Sequence, residues 1–299
     1  MPATRRRTTP SQDKEPLLGA HVSTAGGVAS AIDRACAIGC TAMQIFVKNN
    51  MQWFAKPLGT AEVRAFREHP LRNSLRTVFG HSGYLINLAA SDPRLHELSM
   101  RSLCEELVRA NQLGLPFLVL HPGAHMGQGV EAGLEKVVAS LNAICEVAPG
   151  AETRIALETT AGQGSSLGRT FEELAFILRN CSEPERFCVC IDTAHLFAAG
   201  YDLGEDDGIL RTFAQFKRLI GFKHLAAIHM NDSKAAAGSR VDRHEHIGKG
   251  KIGLNAFRYI MREPRFRNIP KVIETPKGRD MAEDVANLAK LRSLLQESV

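Results

Sequence analysis

The stretch FCVCIDTAHLFAAGYD, residues 187–202, contains a complete transition from strand to helix. Its first five residues are apolar and bounded by polar residues, as in a parallel strand that is buried on both faces. This strand ends at Asp192, and His195 follows three residues later, near the start of the next helix. A short apolar strand that runs directly into a helix is the building unit of an α/β protein.

Seven other segments have the same character, and each is followed by a helical pattern. These predicted strands are LLGAH (17–21), AMQIF (42–46), TVFGH (77–81), PFLVLH (116–121), RIALE (154–158), LAAIHM (225–230) and PKVIE (270–274). The clearest helical patterns cover residues 27–39, 130–147 and 282–296. Eight strand–helix units predict a single (β/α)8 TIM barrel, which typically takes about 250 residues. A doubly wound open sheet is the alternative, but no glycine-rich dinucleotide fingerprint supports it.

Residues 1–16 are polar, contain proline and are rich in arginine. They predict a disordered basic N-terminal arm in front of a barrel domain of residues 17–299. Four residues of the arm are basic and two are acidic, so it contributes +2 to the net charge of +5. This balance permits a polyanionic partner without requiring one.

The remaining composition indicates an intracellular, cytoplasmic protein. No apolar run reaches the roughly 18 residues that span a bilayer, and no apolar stretch follows the N-terminal arginines as in a signal peptide. The cysteines are odd in number and form no CxxC motif, which favours reduced thiols. They are Cys36, Cys40, Cys104, Cys145, Cys181, Cys188 and Cys190.

Six of the predicted strands carry His, Asp or Glu, the residue types that can bind a metal ion, at or next to their C-terminal ends. These residues are His81, His121, Glu158, Asp192, His229 and Glu274. The C-terminal ends of barrel strands converge on one face, which carries the chemistry. Any one of these side chains alone could merely cap its strand, but chance is a poor account of all six. Because several buried carboxylates are costly unless cations neutralise them, the pattern predicts a metal centre.

Three more candidate ligands lie in loops: His195, Asp242 and His244. Asp242 and His244 are separated by one residue, so an extended backbone places both side chains on the same side. Nine candidates exceed the needs of one metal ion. Nitrogen and carboxylate ligands without a thiolate favour zinc or manganese over calcium or magnesium.

Several motifs together resemble the endonuclease IV family. They are HVSTAGG (21–27), HSGYLINLA (81–89), HPGAH (121–125), ETTAGQG (158–164), CIDTAHLFAAGYD (190–202), HMNDSK (229–234), GSRVDRHEHIGKGKIG (238–253) and ETPKG (274–278). The resemblance runs from about Leu17 to the C-terminus, and the order CxDTxHxFAAGYD, then DRHxxIGxGxIG, is highly specific.

The resemblance implies an enzyme that hydrolyses double-stranded DNA 5′ to an abasic site, leaving 3′-hydroxyl and 5′-deoxyribose phosphate ends. It implies three zinc ions per chain, with manganese as an alternative at one site. We further expect a monomer without an obligate protein partner or membrane association, which associates with the nucleoid through its DNA substrate.

The family's ligand assignments can be transferred residue by residue. His81 and His121 would then hold one metal together with Glu158. Glu158 would bridge to a second metal, whose other ligands are Asp192, His229 and Glu274. The ligands of the third metal would be His195, Asp242 and His244. Glu158 and Glu274 are the predicted catalytic residues. The motif residues His21, His125 and His246 are expected to support the metal ligands or to fill space in the packing.

The strand-end loops are expected to bind DNA. Wedges that fill the gap left by a flipped abasic nucleotide are predicted at Gln52, Trp53, Tyr84 and Leu85. The alternative for Tyr84 and Leu85 is a place in the core. Phosphate contacts are predicted for Lys234, Arg240, Arg243, Lys249 and Lys251. The resemblance implies an arginine of a DNA-contacting loop where Met51 stands, and this departure concerns the details of DNA binding and not the metal chemistry.

Two other functions compete with this interpretation. A sugar isomerase or epimerase on a related barrel would need one or two metals, which leaves His81, His121 and the Asp242–His244 pair unexplained. A non-catalytic protein that binds abasic sites would be expected to have lost a ligand, and none is missing from this sequence.

Overall fold

The computed structural model describes residues 15–147, 152–278 and 280–296. Eight parallel strands close into a barrel, in which β1 pairs with both β2 and β10. The barrel strands are β1 (Leu18–His21), β2 (Ala42–Phe46), β3 (Thr77–His81), β4 (Phe117–Leu120), β5 (Arg154–Glu158), β6 (Phe187–Asp192), β7 (Leu225–His229) and β10 (Lys271–Ile273). Two short antiparallel strands, β8 (Asp232–Ser233) and β9 (His244–Glu245), lie between β7 and β10. The closed order confirms the predicted TIM barrel and excludes an open sheet.

The strand boundaries agree with the sequence in four cases and are shorter in the other four. β2, β3, β5 and β6 have the predicted bounds. β4 and β10 begin one residue later than predicted, after Pro116 and Pro270, because proline has no N–H to donate to the ladder. At the other end, His121, Met230 and Glu274 lie one residue beyond their strands instead of within them.

Helices cover the outside of the barrel. They are α1 (Ser30–Ala37), α2 (Thr60–Arg67), α3 (Pro93–Gln112), α4 (Val130–Val147), α5 (Phe171–Asn180), α6 (Thr193–Ala199), α7 (Asp206–Leu219), α8 (Asn255–Arg262) and α9 (Ala282–Ser293). α4 has the predicted bounds, and α9 ends three residues early. α1 starts at Ser30 instead of residue 27, because Gly26 and Gly27 have φ angles of 84° and 107°, in the left-handed region.

The core has two parts, which follow from the alternation of side chains along the strands. One set of strand residues packs inside the barrel, including Phe79, Val119 and Ala156. The alternate residues, such as Val78 and Leu118, pack outward against the helices. The interior set leads directly to the C-terminal mouth of the barrel.

Three expectations concern the chain as a whole. All seven cysteines are free, in agreement with the predicted reduced thiols. Within the described ranges, no helix combines the length and apolarity that a membrane crossing requires. The predicted arm falls almost entirely outside the described residues, so the domain boundary at residue 17 stays a prediction.

Candidate metal centre

The six strand-end residues continue the rows of side chains that point into the barrel. Phe79 belongs to the interior set, and His81 follows it by two residues, so both point the same way. The same step relates Val119 to His121, Ala156 to Glu158, Cys190 to Asp192, Ala227 to His229 and Val272 to Glu274. Strand alternation therefore brings all six to one mouth.

The first group is centred on Glu158, which is fully buried. Its Oε2 lies 3.1 Å from His81 Nε2 and 3.0 Å from His121 Nε2. In this group the candidate ligand atoms all lie within 4.8 Å of one another. The three residues come from consecutive strands, and their arrangement is suited to one metal ion.

The second group shares Glu158 and adds Asp192, His229 and Glu274, again with ligand atoms within 4.8 Å. His229 Nδ1 lies 2.9 Å from Glu158 Oε1 and 3.2 Å from Glu274 Oε2. The other oxygen of Glu158 faces the first group, so this carboxylate has the geometry of a bridge.

The third group contains Asp192, His195 and His244. Asp192 ends β6 and also caps α6, accepting a hydrogen bond of 2.9 Å from the backbone N–H of His195, which fixes the position of that histidine. Asp242, the remaining predicted ligand, lies 3.2 Å from His195 Nε2 and 3.3 Å from His244 Nε2. The structure thus brings all nine predicted residues together and adds Asp192 to the third group.

His81 and His195 each turn Nε2 towards a carboxylate of the site. His81 Nδ1 must donate to the carbonyl of Ser82 at 2.7 Å, and His195 Nδ1 to that of Thr159 at 2.8 Å, because a carbonyl only accepts. In the neutral rings, Nε2 then directs a lone pair at a carboxylate. His244 Nε2 is buried without a hydrogen bond, 3.3 Å from Asp242. Metal-binding histidines typically have one nitrogen tied to an oxygen and the other free, so these donors fit divalent ions.

The electrostatics of the mouth favour positive charge. Burial opposes protonation of His195, but the carboxylates of Asp192, Asp242 and Glu158 outweigh it and raise its pKa well above the usual value. Burial also acts to raise the pKa of Glu158, yet His229 and His121 hold it well below its usual value. An environment that stabilises a protonated imidazole also stabilises a metal cation at the same place.

Sequence reasoning missed Gln44, which is fully buried in the middle of β2. Its Oε1 accepts from His229 Nε2 at 2.8 Å, and its Nε2 donates to Glu274 Oε1 at 2.6 Å. The same Nε2 lies 2.8 Å from His21 Nδ1, which is 2.9 Å from Glu274. Gln44 therefore fixes which nitrogen of His229 faces the carboxylates. The signal that could have identified it is a polar residue inside the otherwise apolar strand AMQIF.

A second missed residue is Asn231, which is fully buried just after β7. Its side-chain Nδ2 donates to Asp192 Oδ2 at 2.6 Å, and its side-chain Oδ1 accepts from the backbone N–H of Glu274 at 2.7 Å. Asn231 thus holds two candidate ligands from different strands. Of the other motif histidines, His125 accepts from Gly129 N within its own loop, and His246 contacts Asn287 of α9. Neither belongs to the three groups.

The predicted DNA-contacting residues lie in the segments that follow β2, β3 and β7. Tyr84 is 59% exposed, with its ring edge-on to Phe46 and His81, so it does not belong to the core. Leu85 and Trp53 are half-buried, and Gln52 is exposed. The predicted phosphate contacts Lys234, Arg240, Arg243, Lys249 and Lys251 are all exposed.

A closed eight-stranded barrel with three groups of histidines and carboxylates at its mouth defines a TIM barrel with side-chain clusters that are able to bind metal ions. The sequence matches the family described as xylose isomerase-like TIM barrel over residues 32–294. It is 49% identical over 281 residues to a probable endonuclease 4 of Chloroflexus aurantiacus, covering 94% of this chain and 99% of that protein. The chain belongs to the endonuclease IV family, as its motifs predicted, and is an endonuclease.

Solved structures agree with this assignment. The crystal structure of endonuclease IV from Thermus thermophilus superposes with a TM-score of 0.82 at 36% identity, covering 95% of this chain and all of that one. A D-tagatose 3-epimerase-like protein has a TM-score of 0.71 at 18% identity over 93% of this chain and 98% of that one. The second likeness concerns the fold alone.

Proposed function

We propose that this protein is a DNA-repair endonuclease that hydrolyses the phosphodiester bond 5′ to an abasic site in double-stranded DNA. The products are a 3′-hydroxyl and a 5′-deoxyribose phosphate. Three zinc ions per chain support the reaction, with manganese as an alternative at one site. Membership of the endonuclease IV family supports the reaction class.

The observation that carries the proposal is the bridging geometry of Glu158. Its two oxygens face different groups, with His81 and His121 on one side and His229 on the other. The carboxylates Glu158, Asp192, Asp242 and Glu274 bring a formal charge of −4 to one mouth, which divalent cations would neutralise. A single metal ion would occupy only one of the three groups and leave the other two without a metal.

Bound divalent ions supply hydroxide near neutral pH and neutralise charge that develops on the phosphate. The chain's own residues do the rest. Glu158 and Glu274 orient the nucleophile, and Gln44 and His21 hold Glu274 Oε1 in place. Arg240 and Arg243, in the loop that carries Asp242, bind the flanking phosphates.

The loops around the mouth select the damaged nucleotide. Tyr84 and Leu85 enter the gap in the base stack, and Gln52 and Trp53 contact the strand from the neighbouring loop. Met51 is 65% exposed next to Gln52, so this loop presents an apolar side chain at a position where the family resemblance implies an arginine.

Metal content is the first test of this function. Purified protein is expected to contain about three divalent ions per chain, since nine donors serve about three tetrahedral sites. It should cleave a duplex with one synthetic abasic site without added magnesium and lose activity after prolonged chelation. A content of one metal per chain, or a strict magnesium requirement, would favour a different barrel enzyme such as an epimerase.

The wedge is tested with Tyr84→Ala and Leu85→Ala. Each change should raise KM for the abasic duplex or weaken the preference over undamaged DNA, because the gap in the stack is filled less well. Bound metal, measured on the same preparations, should stay unchanged. A variant that loses its cooperative thermal transition instead would show that the residue belongs to the core.

A further inference from the structure

Two loops that carry the proposed DNA-probing side chains rest on one buried ion pair. The first loop, residues 47–56, follows β2 and carries Gln52 and Trp53, and the second, residues 82–86, follows β3. Lys48 Nζ lies 2.8 Å from Glu106 Oε1, with side chains 2% and 0% exposed. Glu106 is on α3, so the pair joins the first loop to the outer ring of helices.

Each partner of this pair also bonds the backbone of one loop. Lys48 Nζ donates to the carbonyl of Gln52 at 2.5 Å, which closes the turn of the first loop. Glu106 Oε2 accepts from Gly83 N at 3.0 Å, which anchors the second. The loops also bond each other, since Tyr84 N donates to Asn50 O at 3.1 Å.

The contact between the loops is close. A Cβ on Gly83 would lie 3.1 Å from Asn50 O and 3.2 Å from Glu106 Oε1, so a larger residue there would require these neighbours to shift by a few tenths of an ångström. On the same face of α3, Ser102 Oγ donates to Trp53 O at 2.8 Å and Arg109 Nε to Val47 O at 2.7 Å. One helix face therefore holds the first loop from end to end.

Stability alone is a weak reason to bury this pair, because well-packed apolar residues of similar volume are commonly as stable. A charged pair can also fix geometry, since each partner forms a hydrogen bond with a defined backbone atom of one loop. Loops that are already ordered avoid the entropic cost of ordering when the ligand binds.

We propose that Lys48 and Glu106 are positioning residues that hold both loops in the geometry in which they meet DNA. This inference rests on the proposed function. The role does not involve contact with the candidate metal ligands. The pair affects substrate recognition indirectly, because it positions Gln52, Trp53 and Tyr84.

Trp53 is the only tryptophan of the chain, so its fluorescence reports the first loop directly. The test compares wild type with Glu106→Gln and with the double variant Lys48→Met/Glu106→Leu, which removes the tie without leaving a lone buried charge. Both variants should show greater acrylamide quenching of Trp53 in the DNA-free protein. The double variant should unfold near the wild-type temperature and keep its metal.

Kinetics on an abasic duplex give the second readout. KM is expected to rise about 10-fold or more in both variants, while kcat stays within about twofold, because loop order is lost and the reacting groups are not. Net charge cannot produce this result: Glu106→Gln makes the protein more positive, which by itself tightens DNA binding. Glu97→Gln is the matched control, since Glu97 is a 70% exposed carboxylate on α3 that pairs with Arg101.

The outcomes separate the two hypotheses. If wild type and Glu97→Gln both fail to cleave the abasic duplex, the proposed function is wrong. If they cleave it and the folded double variant has wild-type KM and wild-type Trp53 quenching, the pair is only structural and the positioning role is overturned.

Discussion

Glu158→Gln and Glu274→Gln are each expected to lower kcat by at least about 100-fold, the lower end for removing an acid–base or electrostatic group. The substitution keeps the shape of the side chain but removes a negative charge and puts an amide where the carboxylate would bind a metal ion. Glu158 is fully buried and faces both His81 and His229, so its variant should also lose metal. Glu274 is 15% exposed at the mouth, and its variant should retain more.

The measurements are kcat on an abasic duplex, metal content and DNA affinity of each variant. DNA binding should survive better than turnover, because backbone contacts spread over several loops supply much of it. Glu172→Gln is a matched control: Glu172 is exposed on α5 and bonds Gln215 of α7, so the same loss of charge should leave kcat near wild type. Near-normal turnover of both site variants would refute the catalytic roles.

The double variant Asp242→Ala/His244→Ala is expected to lose one metal of about three and to keep its fold. Asp242 lies in the loop before β9 and His244 begins that two-residue strand, so both lie outside the barrel strands, where ligands are held less rigidly. Asp192 and His195 remain in the third group, but two donors are fewer than the four of a tetrahedral zinc site. Activity should fall steeply, and duplex binding should weaken less.

Metal content, circular dichroism and cleavage are to be measured on the same preparation. Ser239→Ala, an exposed position in the same loop, controls for substitution of the loop itself. Retention of all metals, or full activity after losing one, would show that the third group is assigned wrongly. Wild-type behaviour of Ser239→Ala with loss in the double variant would assign the effect to Asp242 and His244.

Much of the fold and of the candidate site was predictable from single segments. The eight strands were recognised because each is a short apolar run, and four of them have the predicted bounds. The strand-end residues from His81 to Glu274 were recognised because His, Asp or Glu stands at the end of six predicted strands, and the ends of barrel strands converge on one face. The family motifs added the order in which those segments occur.

The tertiary structure alone decided which residues meet across segments. Gln44 contacts His229 and Glu274, and nothing near Gln44 in the chain indicates these partners. Likewise, Lys48 pairs with Glu106, which is distant in sequence, because the loop after β2 packs against α3. Tyr84 was equally compatible with core and surface in the sequence, since an aromatic side chain suits both until its neighbours are known. Local pattern determines which way a side chain points, whereas its partners depend on the packing of the whole barrel.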